Sequence, residues 1–221
     1  MSYSMGEHEI KPVSFSYEGR YIQLGELNDQ TQELWIVCHG YGQLANYFAN
    51  HFRVLESPTR CIIAPEGLNR FYLQGFSGRV GATWMTKEDR LVDIQNYLNY
   101  LEAIFHQVTK GMEVSRLKIN VLGFSQGAAT VSRWVTQSDI DFNRLILWAG
   151  IFPPDLNIPR SKKKLGSIRV DFVYGDEDPF LSKSDRVAEQ RSIARMLGVE
   201  PTITQFHGEH VIDRDTLLGM V

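Results

Sequence analysis

With only two cysteines, Cys38 and Cys61, in 221 residues, the chain has too few thiols for a disulfide framework. Each sits in or beside an apolar run, residues 34–38 and 61–64, so both are expected as buried strand thiols. Basic charge is not in excess either. Lys and Arg number 23 against 26 Asp and Glu, a net charge of -3, and this speaks against a nucleic-acid surface. No apolar stretch approaches the roughly 18 residues that a membrane span requires. The first eleven residues hold no apolar signal core. The expectation is a cytoplasmic chain without membrane insertion. Internal repeats, low-complexity tracts and a dividing linker are also missing. A chain of this length can bury about 70% of its unfolded surface without a metal or a disulfide, so residues 1–221 are expected to form a single domain.

What the chain does contain is an alternation of short apolar runs and helical stripes. Residues 13–17 and 20–24 read as two short strands joined at Glu18-Gly19. Residues 34–38 and 60–64 are continuous apolar runs, as expected of strands buried on both faces. Residues 117–123, 145–148, 170–174 and 202–206 read as strands, and 44–52 and 126–136 as helices. Two further helices are expected to open on capping-box spacings, Thr86 with Asp89 and Ser182 with Asp185. The first carries the stripe Leu91, Ile94, Leu98, Leu101, Phe105 and Val108, with Gly111 just past its end. The second ends near Gly198. Residues 66–85 have no clear period, and a long Gly- and aromatic-rich stretch of this kind is often a functional loop. Lys162, Lys163 and Lys164 read as a solvated loop. The pattern implies an α/β fold, with a mainly parallel sheet covered by helices on both faces. The N-terminal hairpin would add an antiparallel edge.

Gly123-Phe124-Ser125-Gln126-Gly127 matches G-x-S-x-G. Alone the motif is weak, but an apolar strand leads into it and a helix leads out. A sharp turn there lifts a serine hydroxyl above the sheet edge, and glycines on either side relieve the crowding. The helix beginning at this turn points N–H groups toward the site, which favours developing negative charge. Ser125 is therefore the candidate nucleophile, and it needs a base. Of six histidines, only His207 and His210 follow a late strand. His210 lies deeper in its loop and is preferred. The pair also has a spacing open to metal ligation, but Gly208 argues for a loop, no third ligand is evident, and no metal is expected. An acid that orients the histidine belongs at the end of the strand 170–174. Asp176, Glu177 and Asp178 all lie there, and spacing does not choose among them. Asp176 also suits a turn. An oxyanion intermediate needs two aligned N–H donors, one from the residue after the nucleophile, Gln126. The other belongs to a loop after an early strand. Cys38-His39-Gly40-Tyr41-Gly42 ends such a strand, with the Tyr41 N–H as candidate and His39 as a structural residue of the loop.

With these residues the chain resembles the phospholipase/carboxylesterase family of α/β-hydrolases, which includes small esterases and acyl-protein thioesterases. The likeness is carried by His39-Gly40-Tyr41-Gly42, Thr83-Trp84, the Gly123 to Gly127 motif, Gly175-Asp176-Glu177-Asp178-Pro179 and Gly208-Glu209-His210. It runs from about Leu34 onward. The resemblance implies the α/β-hydrolase fold, no cofactor, and a small-molecule or acyl ester (or thioester) as substrate. It favours Asp178 as the acid, with Tyr41 and Gln126 as oxyanion donors. Residues 67–80 and the segment Ala149-Gly150-Ile151-Phe152-Pro153-Pro154 depart from the thioesterases. Both are expected to flank an acyl pocket lined by Trp84, Phe76 and Phe152. A catalytically silent binding protein, a lipase and a peptidase are the competing readings.

Overall fold

The computed structural model of the protein describes residues 11–181 and 184–221; of 184–187 and 189 it describes the backbone alone. The elements run β1 (Tyr21–Leu24), β2 (Glu33–Cys38), α1 (Ala45–Ala49), β3 (Arg60–Pro65), β4 (Asn69–Tyr72), β5 (Val80–Thr83), α2 (Arg90–Val108), β6 (Lys118–Phe124), α3 (Gln126–Gln137), β7 (Arg144–Trp148), α4 (Ile158–Leu165), β8 (Arg169–Gly175), α5 (Ser184–Met196), β9 (Thr202–Phe206) and α6 (Arg214–Leu218). Seven strands form one sheet in the order β1-β3-β2-β6-β7-β8-β9. All neighbours pair in parallel except β1, which runs antiparallel to β3. The expected parallel sheet with an antiparallel N-terminal edge is thus present.

The strands are apolar throughout because both faces are covered. Along β2, Leu34, Ile36 and Cys38 enter a core with Tyr97, Leu101, Val131 and Trp134. The alternate residues Trp35 and Val37 enter a second core with Phe48, Phe52 and Leu217. Helices α2 and α3 therefore cover one face, and α1 and α6 the other. On α2 the buried set is Ile94, Tyr97, Leu98, Leu101, Ile104 and Phe105, each contributing about 1.5–3 kcal/mol by leaving water.

Register decides where the loops emerge. Cys38 lies beside Gly123, Phe124 beside Trp148, Trp148 beside Val173, and Gly175 beside Phe206. Parallel neighbours that end level deliver all their following loops to one edge of the sheet, at its carboxyl end. No helix among the described residues is long and apolar enough to cross a membrane.

Several local expectations are corrected. Residues 13–17 form no strand. Val13 and Phe15 stand exposed, and β3 takes β1 as its edge partner, so the alternating pattern has nothing to pair with. Residues 66–85 are not structureless: β4 and β5 form an antiparallel hairpin, with Phe71 opposite Gly81. β4, Asn69-Arg70-Phe71-Tyr72, is exposed or half-buried along its whole length and so carries no apolar alternation. Thr86 does not cap α2. Its hydroxyl accepts from the Glu88 N–H at 3.2 Å, and the helix begins only after Asp89, whose φ is 47°. Leu91 is exposed rather than part of the apolar stripe. Ser182 lies outside the described residues, as does the side chain of Asp185, and with them the second capping pair. The three lysines close α4, whose N-cap Asn157 accepts from the Arg160 N–H. Helix α6 was not anticipated; Asp213 caps it.

One buried charge pair is a sensitive point. Asp171, fully buried on β8, receives Arg144 Nε at 2.6 Å and Arg169 at 2.8 Å. Asp171→Asn would leave the buried Arg144 without its counter-charge. We expect a loss of about 3–5 kcal/mol, measured as a lower urea midpoint; an unchanged midpoint would contradict it.

Candidate active site

The turn after β6 is built as its motif requires. Ser125 has φ 54° and ψ -116°, an uncommon conformation for a residue with a side chain. A Cβ on Gly123 would fall 2.3 Å from the Gly127 oxygen, and one on Gly127 would fall 2.2 Å from the Cys38 oxygen. Strand, turn and helix are packed backbone to backbone, so only glycine fits on either side. The Ser125 N–H donates to the Trp148 oxygen at 2.9 Å, tying the turn to β7.

The loops after β8 and β9 bring His210 and Asp178 together. His210 Nδ1 lies 2.7 Å from Asp178 Oδ2. A carboxylate only accepts, so Nδ1 carries the proton and Nε2 of the neutral ring is left as an acceptor. Asp178 is fully buried, and its other oxygen accepts the Phe180 N–H at 2.8 Å. The His210 ring packs against Phe124 and Phe180, with centroids at 4.9 and 4.8 Å. Trp148 Nε1 donates to the Val211 oxygen at 2.8 Å, which anchors the His210 loop. Asp176 has a different environment. Its carboxylate is exposed and accepts the Gly208 N–H at 3.0 Å, with His207 Nδ1 at 3.3 Å. The Gly208 N–H and His207 hold it below the usual carboxylate range, and Asp176 in turn raises His207. The neighbouring acids therefore separate by direction: Asp178 points inward to His210, Asp176 outward to the turn. Asp176, Glu177 and His207 form an exposed cluster with ligand atoms within 4.8 Å of one another, and His210 is not part of it.

Ser125, His210, Tyr41 and Gln126 line one cavity of about 520 Å³ with Ala129, Ile151, Phe180 and Leu181. The Ser125 hydroxyl is not hydrogen-bonded to His210 in this structure; such contacts often tighten only when substrate is bound. Among the described residues, the backbone N–H groups of Tyr41 and Gln126 meet no protein acceptor. The loop carrying Tyr41 is rigidly held. Gly40 N–H donates to Gln43 Oε1 at 2.8 Å. Gly67 N–H donates to His39 Nε2 at 2.9 Å, so His39 Nδ1 is the protonated nitrogen and donates to the Gly40 oxygen at 2.7 Å. Burial pushes the His39 pKa down to about 4, so this histidine stays a neutral structural tie.

The rings expected to line an acyl pocket are placed elsewhere. Trp84 and Phe152 are 1% and 0% exposed and belong to the core, whereas Phe76 is 96% exposed on the β4–β5 turn. None of the three borders the Ser125 cavity. Their bulk was legible in the sequence, but the direction of a side chain on a loop was not. Of the expected flanking segments, Ile151 does reach the cavity. Phe180 and Leu181 were missed, although their position just beyond Asp178 was the available signal.

Comparison with known proteins adds a family and a fold. A Phospholipase/Carboxylesterase family model matches residues 22–220. No curated protein sequence matches the chain significantly. Among solved structures, acyl-protein thioesterase 2 of Zea mays is similar, with a TM-score of 0.66 at 15% identity over 92% of this chain and 96% of that one. A Bacillus cereus carboxylesterase has a TM-score of 0.65 at 12% identity over 91% of each chain. A phospholipase/carboxylesterase from Dyadobacter fermentans has 0.63 at 18% identity over 94% and 96%. At such identities the structural likeness is one of fold alone. The family match spans nearly the whole chain, and the protein therefore belongs to the phospholipase/carboxylesterase family of α/β-hydrolases.

Proposed function

We propose that the protein is a serine esterase that cleaves carboxylic or thio esters through an acyl-enzyme, with Ser125 as nucleophile, His210 as base and Asp178 as the acid that orients it. The observation that carries this reading is the shared cavity, which Ser125, Tyr41 and Gln126 line together with His210, whose Nδ1 lies against the buried Asp178 carboxylate. Ser125 Oγ attacks the acyl carbon while His210 Nε2 takes its proton. The carbonyl π electrons move to oxygen, and the oxyanion is received by the Tyr41 and Gln126 N–H groups. The intermediate collapses, and His210 passes the proton to the departing alkoxide or thiolate. Water then repeats the sequence, releasing the acid and restoring Ser125. The names of two structural neighbours, an acyl-protein thioesterase and a carboxylesterase, support an acyl ester or thioester as substrate class.

Apart from the reacting groups the cavity wall is mostly apolar, aliphatic at Ala129, Ile151 and Leu181 and aromatic at Phe180, and this suits a hydrocarbon acyl chain. Each methylene buried contributes about 0.8 kcal/mol, close to fourfold in kcat/KM, until the space is filled. We expect kcat/KM to rise from acetyl to medium acyl esters and then to fall, measured from two to sixteen carbons. A rate still climbing at sixteen carbons would point to an open groove and a lipid-like substrate. No hydrolysis of any ester or thioester in the series would count against the esterase reading.

A further inference from the structure

We infer that β5 and the residues just after it brace both halves of the oxyanion site, with the Gln126 side chain and Thr83 as positioning residues. The inference rests on the proposed roles of Ser125, Tyr41 and Gln126. On one side β5 holds the loop that follows β2. Gly42 N–H donates to the Ala82 oxygen at 2.8 Å, and Ala82 N–H donates to the Gln43 oxygen at 3.1 Å. These are the residues directly after Tyr41, so they set the direction of the Tyr41 amide. The approach is close enough to require glycine: a Cβ on Gly81 would fall 2.4 Å from the Gly42 oxygen and 2.7 Å from Gly42 Cα.

On the other side the Gln126 side chain reaches the residues that continue β5. Trp84 N–H donates to Gln126 Oε1 at 3.1 Å, and Gln126 Nε2 donates to the Met85 oxygen at 2.9 Å. The two backbone partners fix the amide orientation, because the atom that receives an N–H is the oxygen and the atom that faces a carbonyl is the nitrogen. Thr83 Oγ1 stands 3.0 Å from the same Oε1 and 2.9 Å from the Met85 oxygen. Its single proton serves one of them at a time. Four consecutive residues, Ala82, Thr83, Trp84 and Met85, thus grip the neighbours of one donor and the side chain of the other.

The two donors, one on the loop after β2 and one at the start of α3, lie far apart in the chain, and an oxyanion site works only if its donors are already aimed when charge develops. A brace that fixes their separation acts on the transition state. It acts little on substrate binding, because Ile151, Phe180 and Leu181, which wall the same cavity, take no part in these hydrogen bonds. Its loss should therefore appear in kcat and spare KM.

The test uses the full chain with Gln126→Met, which keeps length and backbone N–H but removes the side-chain hydrogen bonds, and with Thr83→Val and Thr83→Ser. kcat and KM are measured on a short acyl ester. The Ki is measured for a trifluoromethyl ketone of the same acyl group, which Ser125 Oγ attacks as His210 takes its proton, leaving a tetrahedral oxyanion between the two amides. Gln126→Met should lower kcat about 10–100-fold, less than the loss of a whole oxyanion donor, with KM within about threefold. The ketone should weaken by the same factor as kcat/KM. Thr83→Val should cost about two- to tenfold in kcat, the worth of one hydrogen bond, and Thr83→Ser should restore it. Wild-type kcat in Gln126→Met, an effect confined to KM with unchanged ketone affinity, or Thr83→Ser as damaging as Thr83→Val would overturn the brace. If Gln126→Met does not fold, the Thr83 pair decides alone. Failure of the underlying reading is separate: it would be seen beforehand, as continued fluorophosphonate labelling of a Ser125→Ala protein.

Discussion

Ser125→Ala is expected to abolish ester hydrolysis and covalent labelling by a fluorophosphonate while the protein stays folded. The hydroxyl is the only group of this residue that the proposed chemistry uses, and without it no acyl-enzyme forms. The structural cost should be small. The Ser125 side chain makes no hydrogen bond to His210, and alanine fits the same cramped backbone as well as serine does. The stability change should therefore stay within about 0.5 kcal/mol, as for substitutions that remove no packing or hydrogen bond. Intact-mass measurement after labelling, beside thermal unfolding of both proteins, checks the two halves together. Full labelling of the mutant would move the nucleophile elsewhere in the chain.

Asp178→Asn should lower kcat by about 10⁴-fold, as the corresponding change does in serine protease triads, whereas Asp176→Asn should change it little. In the native site Asp178 Oδ2 accepts from His210 Nδ1, and the other oxygen is held by the Phe180 N–H. An asparagine can keep its oxygen on the Phe180 amide, which then turns its NH₂ toward the imidazole. His210 Nδ1 must become an acceptor, the proton moves to Nε2, and the nitrogen facing Ser125 is no longer a base. The imidazolium formed during attack also loses its counter-charge. Asp176 faces outward, and an asparagine there can still accept the Gly208 N–H. Steady-state kinetics of both variants on one ester give the ranking. If Asp176→Asn were the damaging change, the acid would have to be reassigned.

The contrast between these two aspartates marks where sequence reading stopped. Gly-Asp-Glu-Asp-Pro after an apolar strand located the acid to three residues. Family resemblance favoured Asp178, but spacing alone did not, because adjacent loop residues differ by backbone direction rather than composition. The same limit applies to Trp84, Phe76 and Phe152. The sequence shows their bulk and puts them in or beside loops, yet two are buried in the core and one projects into solvent. The β4–β5 hairpin is not legible in the sequence because β4 is exposed or half-buried at every position and shows no apolar alternation. The hairpin's partner contacts, with the loop at Gly42 and Gln43, are long-range.

The sequence by itself determined the alternation of strands and helices, the elbow at Ser125 and the late position of His210. These depend on local physics: apolar runs buried on both faces, glycines where backbones touch, and a turn between strand and helix. Tertiary structure alone decided that the loops after β2, β6, β8 and β9 meet at one edge, because that requires the strands to end in register. It alone turned Asp178 inward and Asp176 outward. It alone bound Gln126 to Thr83, Trp84 and Met85, more than forty positions away along the chain, since a side-chain amide finds such partners only after the sheet has closed around it.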